Sequence, residues 1–223
     1  AVYMLNCSLG TLLMPVLAVV CIVKGQFIVD TISKVPGLPD GVLVFGACVA
    51  ACAAASMNDL TAPSISLEGK TLWIMRSLPV TPWQILRAKI KMHVILTMIP
   101  AAVLDMVMIV IVKPSFANGV MMLLIPCLYV VLTAYIGLVI NLKMPKLDWT
   151  SETAVVKQSM GVLVALLSNF AYIIVIVAGY MLIGSMTGLT AYLIICVAAT
   201  ALAAACLRVW LKRRGVEILE VLS

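Results

Sequence analysis

The chain has 223 residues, of which 64% are apolar and only 11% charged, with 15 Lys and Arg against 9 Asp and Glu for a net charge of +6. A soluble domain is about 45–50% apolar and about 25% charged, and a chain this short cannot hide such an excess behind a polar shell. A water-soluble globule, a disordered chain and a coiled coil are excluded; an all-α, polytopic transmembrane bundle remains.

Six apolar runs are long enough to cross about 30 Å of hydrocarbon as helices. In chain order they cover roughly 3–23, 41–58, 92–112, 120–142, 161–183 and 188–211. None alternates polar and apolar residues, so barrel strands are a poor alternative. The first run opens the chain with no charged leader and no small-residue cleavage site, which reads as a piece of a longer protein and not as a signal peptide.

The connectors set the orientation. Segments 59–91, 142–160 and 208–223 carry 12 of the 15 basic residues, whereas the opposite connectors hold only Lys24, Lys34 and Lys113. The positive-inside rule places the richer side, and with it both termini, in the cytoplasm of a multi-pass cell-membrane protein. The basic excess then serves orientation and contact with membrane lipids, and no nucleic-acid partner is expected. The connector 59–91 is the longest, so mass outside the bilayer lies on the cytoplasmic face, where a partner is expected.

Within 59–91, Ser66 is read as an N-cap with Glu68 in the first turn of a short helix from Leu67 to about Ser77. Leu67, Thr71, Ile74 and Leu78 form its stripe, and Pro79 stops it. Thr81-Pro82-Trp83-Gln84 is a capping box with proline in the first helical position. No breaker follows until Pro100, so this helix should run straight into the third span. The arrangement is a short helix, a kinked corner and a rigid lever; its simpler reading is an interfacial helix anchored by Trp73 and Trp83. In 142–160, Pro145 ends the fourth span, and Asp148 or Thr150 caps a new helix with Glu152 in its first turn.

These two connectors carry a resemblance. S-I-S-L-E-G-K-T-L-W-I-M-R-S-L-P-V-T-P at Ser64–Pro82 resembles the first cytoplasmic loop of bacterial type-2 ATP-binding-cassette exporter permeases, the large kind common in Gram-positive bacteria. N-L-K-M-P-K-L-D-W-T-S-E-T-A-V-V-K-Q-S at Asn141–Ser159 resembles their later cytoplasmic loop, and the order of spans agrees over essentially the whole chain. The resemblance implies one permease domain, 1–223, matching the C-terminal membrane part of such a chain. It implies an ATPase partner subunit that binds ATP and Mg, with no cofactor on this chain. The partner would dock on Ser66, Leu67, Glu68, Gly69, Lys70, Leu72, Trp73, Ile74 and Arg76, and on Asp148, Trp149 and Glu152. A permease dimer or an N-terminal membrane half is a further implied partner. The chain departs from the family between the fifth and sixth spans, where Gly184–Thr187 leaves no room for a re-entrant hairpin.

Asp105 is the single acid deep in a span, and an ionised carboxylate there costs several kcal/mol unless paired, hydrated or protonated. It is a candidate for the translocation path together with Pro100, whose ring frees a backbone carbonyl, and Asn169. The alternative for Asp105 is a bond to a neighbouring Tyr, Asn or Thr; for Asn169, Ser168, Asn6, Ser8 and Thr11 it is interhelical packing. His93 is read as an interfacial residue. The seven cysteines all lie in apolar runs and read as packing residues, Cys48 and Cys52 included. Small residues repeat along the second span (Gly46, Ala50, Ala54; Ala47, Ala51, Ala55) and the sixth (Ala198, Ala201, Ala205; Ala199, Ala203), which marks close helix contacts. The chain carries no phosphate-binding glycine loop, no zinc motif and no catalytic triad, so it is read as a transporter and not an enzyme. A non-transporting membrane anchor and an ion-coupled carrier using Asp105 are the rival readings.

Overall fold

In hydrocarbon a backbone N–H has no water to bond, so an uninterrupted apolar run satisfies itself as a helix. The computed structural model describes residues 9–37, 41–77, 79–149, 151, 155 and 159–222, without the side chains of Lys70, Trp73, Met75, Arg76 and Ser185. Every regular element among them is helical: α1 Leu9–Ser33, α2 Val42–Ser56, α3 Leu72–Ser77, α4 Pro82–Val112, α5 Phe116–Lys143, α6 Met160–Gly179, α7 Leu189–Trp210 and α8 Val216–Leu222. A π turn, Tyr180–Gly184, extends α6, and another, Leu211–Gly215, joins α7 to α8.

Five helices are long and apolar enough to cross a membrane: α1, α4, α5, α6 with its π turn, and α7 continued through α8. The second expected span is shorter. At 15 residues α2 is about 22 Å long, and the irregular segment 57–68 follows it. Exposed apolar faces mark the outside of the bundle; along α1, Ile22, Val23 and Phe27 are 67–70% exposed, as a lipid-facing surface requires.

Several boundaries move. Helix α1 continues past Lys24 to Ser33, so much of the expected outer connector 24–40 is helical. Lys113 caps α4 in the left-handed conformation (φ 50°), and α5 begins three residues later. Gly188 (φ 79°) alone separates α7 from the turn that ends the preceding helix. The Thr81 capping box is present in full, with Pro82 in the first position, and α4 runs unbroken through Pro100 as expected. The helix expected from Asp148 does not begin there, because Leu147–Trp149 are irregular; Thr150 and Glu152 lie outside the described residues, as do Asn6 and Ser8.

Helix α5 is the centre, 56% buried along its apolar stretch against 17% for α1. It packs against α2, α4, α6 and α7. The small face of α2 is used for this: Ala47, Ala51, Ala54 and Ala55 are buried, while Gly46 and Ala50 face outward. The sixth-span repeat behaves differently, since Ala198, Ala199 and Ala205 are exposed and Thr200 and Ala204 face inward. At the end away from the long connectors, Phe45 stacks on Tyr180 (4.1 Å between centroids) and meets Tyr192 edge-on. A cleft of about 870 Å³ opens there, between the ends of the helices at Ser33, Gly41, Lys113 and Gly188.

Two glycines on these helices test the packing. A Cβ on Gly137 would lie 2.5 Å from the Thr61 hydroxyl and 3.0 Å from the Ala62 nitrogen, whereas one on Gly46 would meet nothing within 4 Å. Gly137→Ala is expected to lower the thermal unfolding midpoint, at a cost of about 1–3 kcal/mol. Gly46→Ala is expected to raise it, by about 0.5–1 kcal/mol from helix propensity.

Candidate functional site

The feature with the densest buried polar chemistry is the segment 57–68. Asn58, Leu60, Thr61, Ala62, Ile65 and Ser66 are each at most 1% exposed. A buried irregular backbone must find partners for its own N–H and C=O groups, and here other elements provide them. Asn141 on α5 accepts from Ile65 N (2.7 Å) and Ser66 N (3.2 Å) and donates to the Ser66 hydroxyl (2.7 Å). The Lys146 backbone N–H donates to that same hydroxyl, and the Trp149 indole donates to the Ser66 carbonyl at 2.8 Å. Lys89 on α4 donates to the Ser64 carbonyl and pairs with Glu68. Turn bonds within the segment complete the set, among them Leu67 N to Pro63 O.

The start of the segment is tied as firmly. Asn58 accepts from Thr11 N on α1 and donates to the hydroxyls of Thr11 and Thr97. One side chain thus joins α1, the end of α2 and α4. Backbones come close here: a Cβ on Gly10 would lie 2.2 Å from the Ala54 carbonyl.

This geometry relocates the expected short helix. Ser66 is not an N-cap, since its hydroxyl is taken by Asn141 and Lys146. The chain turns instead through Gly69, whose φ is +44° and whose absent side chain leaves room for the Trp149 indole. A single 3-10 turn, Gly69–Thr71, then leads into α3. Leu67 is half-buried against Leu60 and Leu96. Leu72 is 3% exposed and packs with Ile65, Leu86 and Leu138, whereas Ile74 is 43% exposed. Thr71, Ser77 and Asp148 also face outward. The stripe expected for this helix is therefore replaced by Leu72 inward and Ile74 outward. Lys70 and Arg76 follow the backbone of this turn and helix, and Glu152 lies outside the described residues.

The membrane-embedded candidates occupy separate places. Asp105 on α4 is 2% exposed, and its Oδ2 has no hydrogen-bond partner among the described residues. It lies within electrostatic reach of the Cys48, Cys52 and Cys127 thiols. Asn169 is fully buried with no partner for its amide; instead its backbone carbonyl accepts from the Tyr129 hydroxyl, which also meets Ser56 at 2.6 Å. Ser168 bonds its own helix at Val164. Of the polar residues read as interhelical, Thr11 makes such bonds by its side chain. Pro100 is half-buried within α4. His93 is 1% exposed and faces Thr133 across the bundle at 3.3 Å. Sequence reasoning missed Asn141, Asn58 and Lys89 among the side chains that hold the loop. The visible signal was an Asn in the last turn of one span and another just past the end of a second.

The Lys89–Glu68 pair is partly buried (14% and 31% exposed), so a lone remnant is costlier than no pair. Lys89→Met is expected to destabilise the protein by about 2–4 kcal/mol. The double variant Lys89→Met, Glu68→Leu is expected to recover at least half of that, as read by thermal unfolding in detergent.

Asp59 lies just beyond α2 and is 8% exposed. No protein-family model, curated protein or solved structure matches the chain.

Proposed function

We propose that the chain is the membrane-spanning permease part of an ATP-binding-cassette exporter, driven by a separate ATPase that docks at its basic, cytoplasmic end. The observation that carries this reading is the way α3 is mounted. It presents Ile74 and Ser77 outward while Leu72 is sunk among α4 and α5 residues. A force on its outer face passes through Leu72 and the buried segment into two helices at once: α5 through Asn141, and α4 through the Lys89–Glu68 clamp. Helix α4 starts at a full capping box and is 31 residues long, so it behaves as a stiff lever across the bilayer. Closure of an ATP-bound partner would push α3 and change the angle of α4 against α5.

In this reading the helices cross six times with both termini cytoplasmic, α2 and segment 57–68 together making the second crossing. The bundle is a bacterial cell-membrane protein, binds no cofactor and performs no catalysis; ATP and Mg belong to the partner. The inner end is filled by the loop and the outer end is open as a cleft of about 870 Å³, which suits release to the outside. A second reading, an ion-coupled carrier, is favoured by one observation: the buried, unpartnered oxygen of Asp105.

The test is transport in cells with the ATPase present and absent. Ile74→Glu changes an outward residue, so folding should be retained while partner co-purification and flux fall at least about tenfold, the loss that a charge placed in an interface core produces. Flux that persists without any ATPase but is lost in Asp105→Asn would establish the carrier. Flux unchanged by either variant would leave a structural anchor.

A further inference from the structure

The basic end of the bundle carries a second feature that the coupling scheme does not use. Helix α7 is apolar for most of its length, but its last turns and the π turn after it read V-W-L-K-R-R-G. A shallow furrow of about 480 Å³ runs along one face of this junction. It is lined by Ala205, Cys206, Val209 and Trp210 and ends at Arg213 and Arg214. Five of the six are exposed, Val209 at 53%. From Ala205 to Arg214 the rise is about 14 Å, so one continuous channel passes from bilayer-facing apolar surface to two guanidinium groups.

The furrow has a built wall. Trp210 is held half-buried, with the Lys143 ammonium 5.0 Å above its ring, so a third cation stands beside the aromatic side of the channel. Arg214 is paired with Glu217 at 3.2 Å, but both are largely exposed (71% and 63%). An exposed pair of that kind contributes little to stability and can exchange its carboxylate for a better anion. Arg213 and Arg214 follow Val209 and Trp210 at i+4 spacing, which brings both pairs to the same side of the chain, next to the π turn at 211–215. Single π turns often mark functional places in helices.

We propose that this furrow is a binding site for one anionic phospholipid of the inner leaflet. Its acyl chain lies along Ala205, Cys206 and Val209, its glycerol region lies against Trp210, and its phosphate is held by Arg213 and Arg214. The occupant follows from complementarity. A soluble phosphate would leave the apolar half of the furrow uncovered, and a neutral lipid would leave the two guanidiniums facing a headgroup without net charge. Basic pockets on the cytoplasmic side of helical bundles suit anionic headgroups, and Arg grips phosphate with two parallel hydrogen bonds.

The experiment reconstitutes the full chain in phosphatidylcholine vesicles containing 30 mol% of either brominated phosphatidylglycerol or brominated phosphatidylcholine. Trp210-specific quenching is taken as the difference between wild type and Trp210→Phe. Brominated phosphatidylglycerol is expected to quench at least about threefold more strongly, a ratio that general surface attraction alone spreads over every basic residue. Arg213→Gln with Arg214→Gln is expected to bring the ratio to about one. Arg208→Gln with Lys212→Gln removes the same charge from the adjacent face and is expected to leave it unchanged. Retained thermal midpoints in both pairs separate loss of the site from loss of the fold. Equal quenching by the two lipids in wild type would overturn the proposal. So would an equal effect of the two charge-matched pairs, which would mean diffuse attraction and no site.

Discussion

A stretch of backbone without regular structure, buried inside a helical bundle, has to borrow its hydrogen bonds, and the architecture of this protein is organised around lending them to residues 57–68. Each buried N–H or C=O left without a partner would cost on the order of 1–3 kcal/mol. Asn141 alone engages two successive amides and a hydroxyl. Its position in the last turn of α5 fixes where that helix must stand relative to α2. The close approach at Gly137 and the turn through Gly69 follow from the same demand, since neither leaves room for a side chain.

Much of the fold was legible because it rests on local rules. The runs of apolar residues are helical, though their boundaries move, and the Thr81–Gln84 box and the stop at Pro145, which act within a few residues of sequence, are found where the spacing puts them. The buried loop was not legible, for a physical reason. Its residues, N-D-L-T-A-P-S-I-S-L, have the composition of a solvated connector, and only partners 25 to 83 residues away make their burial tolerable. The same competition displaced the short helix: Ser66 has the chemistry of an N-cap, but Asn141 and Lys146 reach its hydroxyl first. His93 reads as interfacial from its place at the inner end of the third span; its ring turns into the bundle toward Thr133.

The polar groups of the bundle fall into two populations. Near the loop, Asn58, Asn141, Ser66 and Lys89 are each bonded across elements, while the Thr61 hydroxyl and one Glu68 oxygen find no partner among the described residues. Deeper in the helices, Asp105 keeps one carboxylate oxygen and Asn169 its whole amide without partners among the described residues. Hydrogen-bond networks of this kind rigidify a protein, and this one ties α1, α4 and α5 to the loop. Unsatisfied groups in the apolar layer are tolerated at a cost, which is the pattern expected of groups kept for something other than stability.

The single residue between α7 and the helical turn before it has a mechanical meaning. With only Gly188 at the bend, and with Tyr172 bonded to Thr200 and Tyr192 to Ile176 across the two helices, the hairpin cannot spread its own arms. It forms one fixed jamb at the mouth of the cleft. Any change in the width of that mouth must come from the opposite post, where α1 and α4 lie side by side and meet through a glycine, Gly25 against Ile111.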